Sequence, residues 1–398
     1  MATVSKRPWV TPKGEKRTAF VLTYQDAAGK RHRKQFARKA DADAERVRVE
    51  GQLAAGVHTP DKNSRDVMDA AKAFLADFQS LVSAGKRERS TMESYARQVE
   101  HHLKPYEISS CKLSKLSGPE CTRYGRALEA GVSDAMATRV YAMFRQIMKF
   151  AQGAGWMAAN PSDAVTIRTK GADRTDDSEV DIPPKEQLRA LYEASRTFDE
   201  TGQAEAMVSV LMFAGLRASE LRGLPRRNLF LNESTLRVTQ RADDWQIIGP
   251  VKTKNGYRTV TIPPTTVQAL KRWLMVAPPS ELGLVFPTSG GSRGAGGKPQ
   301  NYHNIYNRIW VPLMAAADLV DWVEGEDGKK KARPYFALHT LRHAAVSMWI
   351  EQGASPKQVT KWAGHASYQF TQDTYGHLWS DPTSDQAIAR AAQASIIG

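Results

Sequence analysis

Cysteine is nearly absent: Cys111 and Cys121 are the only two in 398 residues. That is too few for a disulfide framework in a chain of this size, and their spacing is not that of zinc ligands, so both read as reduced structural thiols. Also missing is an apolar run of the roughly 20 residues that a bilayer-spanning helix needs. The longest strongly apolar stretch, from Val208 to Leu216, is interrupted by Ser209, which argues against an integral membrane protein. Near the start, Pro8, Trp9 and further lysines follow Lys6 and Arg7 where a secretory signal needs an apolar segment, which argues against secretion. A phosphate-cradling loop is lacking too. Residues 289–297 are glycine-rich, but Gly297-Lys298 is followed by Pro299 instead of Ser or Thr, so the stretch reads as a flexible loop. Acidic side chains are outnumbered, 42 against 56 Lys and Arg, for a net charge of +14. This balance favours a polyanionic partner, with nucleic acid ahead of an anionic membrane surface. What is present is ordinary globular composition, 41% hydrophobic and 25% charged, in a length that suggests two or three domains.

The positive charge is local. The first 40 residues hold 11 Lys and Arg against Glu15 and Asp26. Within them, residues 17–24 and 30–36 read as strands joined by a turn at 26–29, Trp9 starts a preceding strand, and residues 40–55 read as an Ala-rich helix. A three-stranded sheet plus one helix, a small α+β module over residues 1–60, can lay cationic strands in a DNA groove. Gly56 and Pro60 mark a break. Residues 64–167 then predict a helical domain with helices at 67–81, 90–103, 119–130 and 133–152. Ser90 and Ser133 are its expected N-caps, and Tyr141, Phe144, Met148 and Ala151 face its core. Residues 168–181 have almost no apolar content and read as a linker. From 182 to 398 the pattern is mainly helical with a small β-sheet. Helices are expected at 184–195 and 205–214, a strand at 236–238, a hairpin of 247–252 with 257–262 around Asn255-Gly256, and a polar insertion at 324–333. The expected fold class is therefore multidomain and mainly α with small β elements.

The chemistry-bearing residues lie in this last segment. Ala214-Gly215-Leu216-Arg217-Ala218-Ser219-Glu220-Leu221 sets an arginine in an otherwise apolar, helical stretch, where an unpaired guanidinium is costly and calls for an anion. His339 and Arg342 stand three apart, on one face of a helix, with His343 beside them. Gly364-His365 follows, and then Tyr375-Gly376-His377. His339 and His343 have the i, i+4 spacing of a zinc pair, but Thr340 occupies the place where a His-Glu-x-x-His site has its Glu, so no metal is assigned.

In this order the residues resemble the tyrosine site-specific recombinases of the phage-integrase family. The family carries a Gly-Leu-Arg-x-x-Glu-Leu box, a hairpin lysine, His-x-Leu-Arg-His, Gly-His, and a tyrosine about ten residues further on. These match Arg217, Lys252, His339 with Arg342, His365 and Tyr375. Lys254 is the alternative to Lys252; Lys252-Thr253 fits the family's Lys-Thr. Ala363 stands where the family more often has Leu. The resemblance extends to the other segments: residues 155–161 look like the end of a core-site-binding (SAM-like) helical domain, and residues 1–60 like an arm-site-binding domain.

It implies a DNA integrase that needs neither ATP nor a metal or other cofactor, acting on double-stranded attachment sites as a homotetramer assembled on DNA. No membrane and a cytoplasmic, DNA-associated location in a prokaryotic host are implied with it, while the need for an accessory bending or excision factor stays open. A tyrosine with a pKa near 10 is a poor nucleophile toward an anionic phosphodiester, so positive charge must be supplied. In the implied roles Arg217 and Arg342 clamp the phosphate, His365 donates to it, and His339 accepts the tyrosine proton. Lys252 protonates the leaving 5′ oxygen, and Tyr375 holds the DNA as a 3′-phosphotyrosine. Glu220 buttresses Arg217 or faces solvent, and His343 and His377 support the helix or the site. Trp362 and Trp379 pack near Tyr375, and residues 381–398 form a helix that docks in cis or on a neighbouring subunit. A catalytically inactive DNA-binding regulator of the same fold and a type IB-like topoisomerase are the rival readings.

Overall fold

The structure, a computed structural model, describes residues 2–10, 15–26, 29–54, 63–168, 180–290, 296–325, 328–379 and 382–397. The expected break at 56–60, most of the 168–181 linker and of the loop at 289–297, and part of the turn at 26–29 lie outside the described residues. The chain divides into two compact units, Met1–Asp176 and Asp177–Gly398.

The first unit opens with an antiparallel sheet in the order β1 (Thr3–Val10), β2 (Lys16–Gln25), β3 (Arg31–Phe36), followed by α1 (Lys39–Ala54). The period-two pattern of β2 buries Leu22 and Tyr24 against Val49 of α1. The pairings Arg7↔Ala19, Thr23↔Arg33 and Gln25↔Arg31 put Arg7, Arg31 and Arg33 on the opposite face of the sheet. Four helices follow, α2 (Val67–Ser83), α3 (Arg89–His102), α4 (Gly118–Gly131) and α5 (Asp134–Gly153). Tyr141, Phe144, Met148 and Ala151 are buried in their shared core, as the helical spacing implies. Ser133 occupies the N-cap position of α5, without a side-chain cap bond. Ser90 does not cap α3. That helix starts one residue earlier, behind Glu88, and so takes Ser90 into its first turn. Cys121 is buried, which pushes its thiol up to about 12 and leaves it unreactive.

The second unit is built around α7 (Gln203–Ala214), a helix buried on nearly every side between α6 (Lys185–Thr197), α9 (Pro264–Val276) and α12 (Thr340–Glu351). Its apolar sequence all round the helix is what a central position requires. After α8 (Ala218–Arg222) come β4 (Leu229–Phe230), β5 (Thr235–Val238), β6 (Gln240–Ala242), β7 (Ile248–Pro250) and β8 (Arg258–Thr261). The expected hairpin around Asn255-Gly256 is not formed. β7 pairs with β6, and β8 pairs with β5. The turn that wins is local: Asp243 Oδ1 accepts from the backbone of Trp245 at 2.9 Å and of Ile247 at 2.8 Å, closing β6 onto β7. Asn255-Gly256 instead falls in a 3-10 turn, Lys254–Gly256.

Beyond α9, α10 (Tyr302–Ile305) runs through a π-turn into α11 (Val311–Ala316), and the polar insertion is a two-stranded hairpin of β9 (Val320–Glu324) and β10 (Lys330–Pro334). The unit ends with α13 (Pro356–Ala363), α14 (Tyr368–Tyr375) and α15 (Pro382–Ile397). No helix among the described residues is long and apolar enough to cross a membrane.

Candidate functional site

Arg217 is not inside a helix. α7 stops at Gly215, whose φ of 60° turns the backbone into the left-handed region, and Arg217 is the extended N-cap residue of α8. Only glycine suits this position, because a Cβ there would stand 2.9 Å from the Trp349 ring as well. The break frees the Gly215 carbonyl, which accepts from Arg342 Nη1 at 2.6 Å. Gly364 repeats the device at the end of α13 with φ 66°. Its carbonyl accepts from Arg217 Nη2 at 3.1 Å, and the preceding Ala363 carbonyl accepts from Arg342 Nη2. Two left-handed helix ends therefore aim their carbonyls at two guanidinium groups and fix both.

Glu220 completes the support. Its carboxylate accepts from the Arg217 backbone N–H at 2.9 Å and from Arg217 Nη1 at 2.8 Å, and from Arg258 Nη2 at 2.8 Å and Nη1 at 3.1 Å. It is 3% exposed, which settles the choice left open by the sequence against a solvent-facing carboxylate. Burial pushes this carboxyl up, but Arg258, Arg217 and Arg342 more than reverse that and hold it at about 2. Arg258, which sequence reasoning missed, is itself buried and also donates Nε to the Trp362 carbonyl at 2.7 Å. It thus joins the acid beside Arg217 to the α13 end that carries Ala363 and Gly364. Asn255 Nδ2 donates to the carbonyls of His365 and Ala366, both at 3.0 Å, tying the 3-10 turn to the same segment.

Tyr375 ends α14, buried to 1% exposure. Its ring stacks on that of His365 at 5.8 Å between centroids and 6° between planes. His365 Nδ1 is paired with Thr371 Oγ1 at 2.9 Å, which fixes the ring. The partner of the tyrosine hydroxyl is His343: Nδ1 and Oη are 2.6 Å apart. His339, expected in that role, is the exposed N-cap residue of α12, with its ring 5.2 Å from that of His343. Arg217, His339, Arg342, His365 and Tyr375 are therefore linked through one another or through His343 and Glu220. Lys252 is not among them; it lies exposed ahead of the Lys254–Gly256 turn. Trp379 packs in the small core around Tyr375, while Trp362 meets Trp349 edge-on at 5.7 Å.

Among the described residues no three His, Cys, Asp or Glu side chains converge as a metal-ligand set. Desolvation first, and the positive charge of the cluster second, keep its imidazoles neutral. Burial, reinforced by Arg342 and Arg217, holds His365 down at about 3; at His339, exposed as a residue, partial desolvation of the ring together with His343 and Arg342 shifts the imidazole downward. Burial pushes Tyr375 up to about 12, with Arg342 opposing it. An anion entering beside Arg217, which is 36% exposed, meets fixed N–H donors without reorganising them. The arrangement offers an anion two oriented guanidinium groups with a phenol next to them.

Two expectations follow from this geometry. Gly364→Ala places a Cβ 2.9 Å from the Asn255 carbonyl oxygen and 3.0 Å from Arg258 Nη1, at a backbone angle that alanine resists. Thermal unfolding of the variant is expected to show a loss of about 1–3 kcal/mol; an unchanged midpoint would contradict the packing described. The second concerns pH. His365 is held near 3 in the folded protein, while an unfolded histidine titrates near 6.5, so the unfolded chain binds more protons as pH falls through this window. The His365 contribution is fully present well above pH 6.5 and is lost as pH falls through that value, by about 2 kcal/mol at pH 5. Glu220, folded at about 2 against an ordinary 4.5, extends the decline below pH 4.5 in the same direction. Urea unfolding of the full chain at pH 7.5 and pH 5 measures this, and equal midpoints would refute it.

The model of the phage integrase family matches residues 184–380. The XerC-like tyrosine recombinase of Caldanaerobacter subterraneus is 23% identical over 385 residues, covering 89% of this chain and 90% of the relative. The ICEBs1 integrase of Bacillus subtilis is 23% identical over 337 residues, 80% of this chain and 83% of the relative. Prophage integrase IntR of Escherichia coli is 23% identical over 291 residues, 69% of this chain and 63% of the relative. Among solved structures, the Tn1549 transposon integrase in complex with circular intermediate DNA superposes with a TM-score of 0.62 at 18% identity, covering 83% of this chain and all of that one. The lambda integrase tetramer bound to a Holliday junction gives 0.51 at 14% identity, over 90% and 95% of the two chains. The chain belongs to the phage integrase family and is a tyrosine recombinase.

Proposed function

We propose that the protein is a site-specific DNA integrase that cuts and rejoins double-stranded DNA through a 3′-phosphotyrosine on Tyr375, integrating and excising a mobile element. The observation that carries this reading is the buried tyrosine hydroxyl, bonded to an imidazole and next to two guanidinium groups whose orientation is set by helix-end carbonyls and Glu220. Arg217 and Arg342 hold the non-bridging oxygens and offset the charge gained in the five-coordinate transition state. His365 and His339 supply neutral imidazoles to the same phosphate. Lys252, on a segment tethered through Asn255 to His365, protonates the departing 5′ oxygen once DNA orders it. The phosphotyrosine conserves the phosphodiester, so a 5′-hydroxyl of a second duplex rejoins the strand without ATP.

In this reading residues 1–60 bind arm-type sites, residues 64–167 bind the core site, 168–181 link them to the catalytic domain at 182–398, and four copies assemble on DNA. Support for the first assignment is the sheet face that carries Arg7, Arg31 and Arg33. The DNA complexes of the Tn1549 and lambda integrases are consistent with the partner and the assembly. The test is to incubate the full chain, in EDTA, with nicked duplexes tiled across the DNA flanking its gene and to trap protein–DNA adducts by denaturation. A denaturation-resistant adduct on one duplex, followed by joining to a second, is expected. Adduct with relaxation of supercoiled DNA and no joining between duplexes would instead mark a topoisomerase.

A further inference from the structure

The resemblance assigns proton acceptance to His339, but the tyrosine hydroxyl meets a different side chain. His343 Nδ1 lies 2.6 Å from Tyr375 Oη, with the ring centroids 5.9 Å apart. Tyr375 is 1% exposed, so bulk water does not reach the oxygen that must lose a proton. His365 meets the same phenol face to face and has committed its Nδ1 to Thr371. His339 stands edge-on behind His343, at 5.2 Å between rings. The path out for the proton therefore begins at His343.

Resting on the reading of Tyr375 as the nucleophile, we propose that His343 is a catalytic residue whose Nδ1 takes the Tyr375 proton during cleavage and returns it during rejoining. In cleavage the Oη–P bond forms, the P–O5′ bond breaks, the Oη proton passes to His343 Nδ1, and the 5′ oxygen takes its proton from Lys252. In rejoining each transfer runs backward. The imidazole must present an unprotonated Nδ1, which is the neutral Nε2–H tautomer. Burial and then Arg342 hold His343 below its ordinary value and so keep it neutral at rest. The groups around it are His339 and Arg342 from α12, Tyr375 from α14, and His365 from the segment between α13 and α14. The imidazolium formed on transfer is stabilised by the negative charge that develops on the phosphate at the same moment.

His343→Asn and His343→Ala separate this role from a structural one. An asparagine oxygen can occupy the Nδ1 position and accept from the tyrosine, yet it cannot hold the proton. With a nicked duplex under single-turnover conditions, His343→Asn is expected to fold and bind DNA as wild type does while forming adduct at least about 100-fold more slowly. A 5′-bridging phosphorothiolate, whose leaving group needs no proton, should not restore the rate. Added imidazole should accelerate His343→Ala, and this rescue reads the base role even if the asparagine variant fails to fold. Adduct formation by His343→Asn within threefold of wild type, restoration by the phosphorothiolate, or absence of imidazole rescue would each overturn the assignment. Failure of the nucleophile reading is distinguishable, because Tyr375→Phe would then still form adduct.

Discussion

Tyr375→Phe is expected to bind duplex DNA with wild-type affinity and to form no covalent adduct at any incubation time. The substitution removes one oxygen and keeps the ring that stacks on His365. Its structural cost is small: His343 Nδ1 loses its partner, which is worth about 1 kcal/mol. The guanidinium clamp is untouched, since Arg217 and Arg342 are held by Glu220 and by the carbonyls of Gly215, Ala363 and Gly364. Chemistry is lost entirely because, among the described residues, no other hydroxyl is bonded to His343. Mobility shift and denaturing gels on the same samples read the two halves of the prediction, and recombinant product from the variant would refute it.

Arg258→Met is expected to destabilise the protein as strongly as any single substitution in this unit. The Arg258 and Glu220 side chains are 1% and 3% exposed, and removing Arg258 leaves the buried Glu220 carboxylate with Arg217 as its remaining ion-pair partner. Breaking such a pair costs about 3–5 kcal/mol, which for a unit of this size lowers the unfolding midpoint on the order of 10 °C. Activity suffers separately, because Arg258 also holds the Trp362 carbonyl next to the segment that orients both clamp arginines. The double variant Arg258→Met/Glu220→Leu removes that carboxylate as well and should recover a large part of the stability. It should recover no cleavage, since Arg217 then lacks its carboxylate. Calorimetry and single-turnover cleavage on the three proteins check this; a single variant as stable as wild type would show that the buried pair is not as described.

Much of this was legible in the sequence, for reasons that differ by element. The helices of the first unit were readable because their apolar positions recur with the helical period, so that Tyr141, Phe144 and Met148 fell on the buried face of α5. The N-terminal sheet was readable from alternation along β2. The residues of the site were visible because guanidinium and imidazole groups next to glycine, in an apolar context, have few structural reasons to be there. Pairing was not readable. Asn255-Gly256 is a strong hairpin signal, yet the Asp243 turn joins β7 to β6, and β8 pairs with β5. Arg258 passed unnoticed because a strand arginine is ordinarily a surface residue, and only the fold shows Glu220 opposite it. The contact of His343 with Tyr375 is not legible either, because spacing along a helix does not reveal which imidazole a residue on another helix reaches.

The central claim is that Tyr375 becomes bonded to the 3′ phosphate of a cleaved strand. The most direct measurement traps wild-type protein on a nicked core duplex in EDTA, digests the adduct with protease and nuclease, and identifies the modified peptide and its nucleotide by mass spectrometry. The prediction is a single modified peptide carrying a nucleotide 3′-phosphate on Tyr375, with a free 5′-hydroxyl on the other DNA fragment. Attachment to another residue, or a 5′-phosphate linkage at Tyr375, would contradict the account.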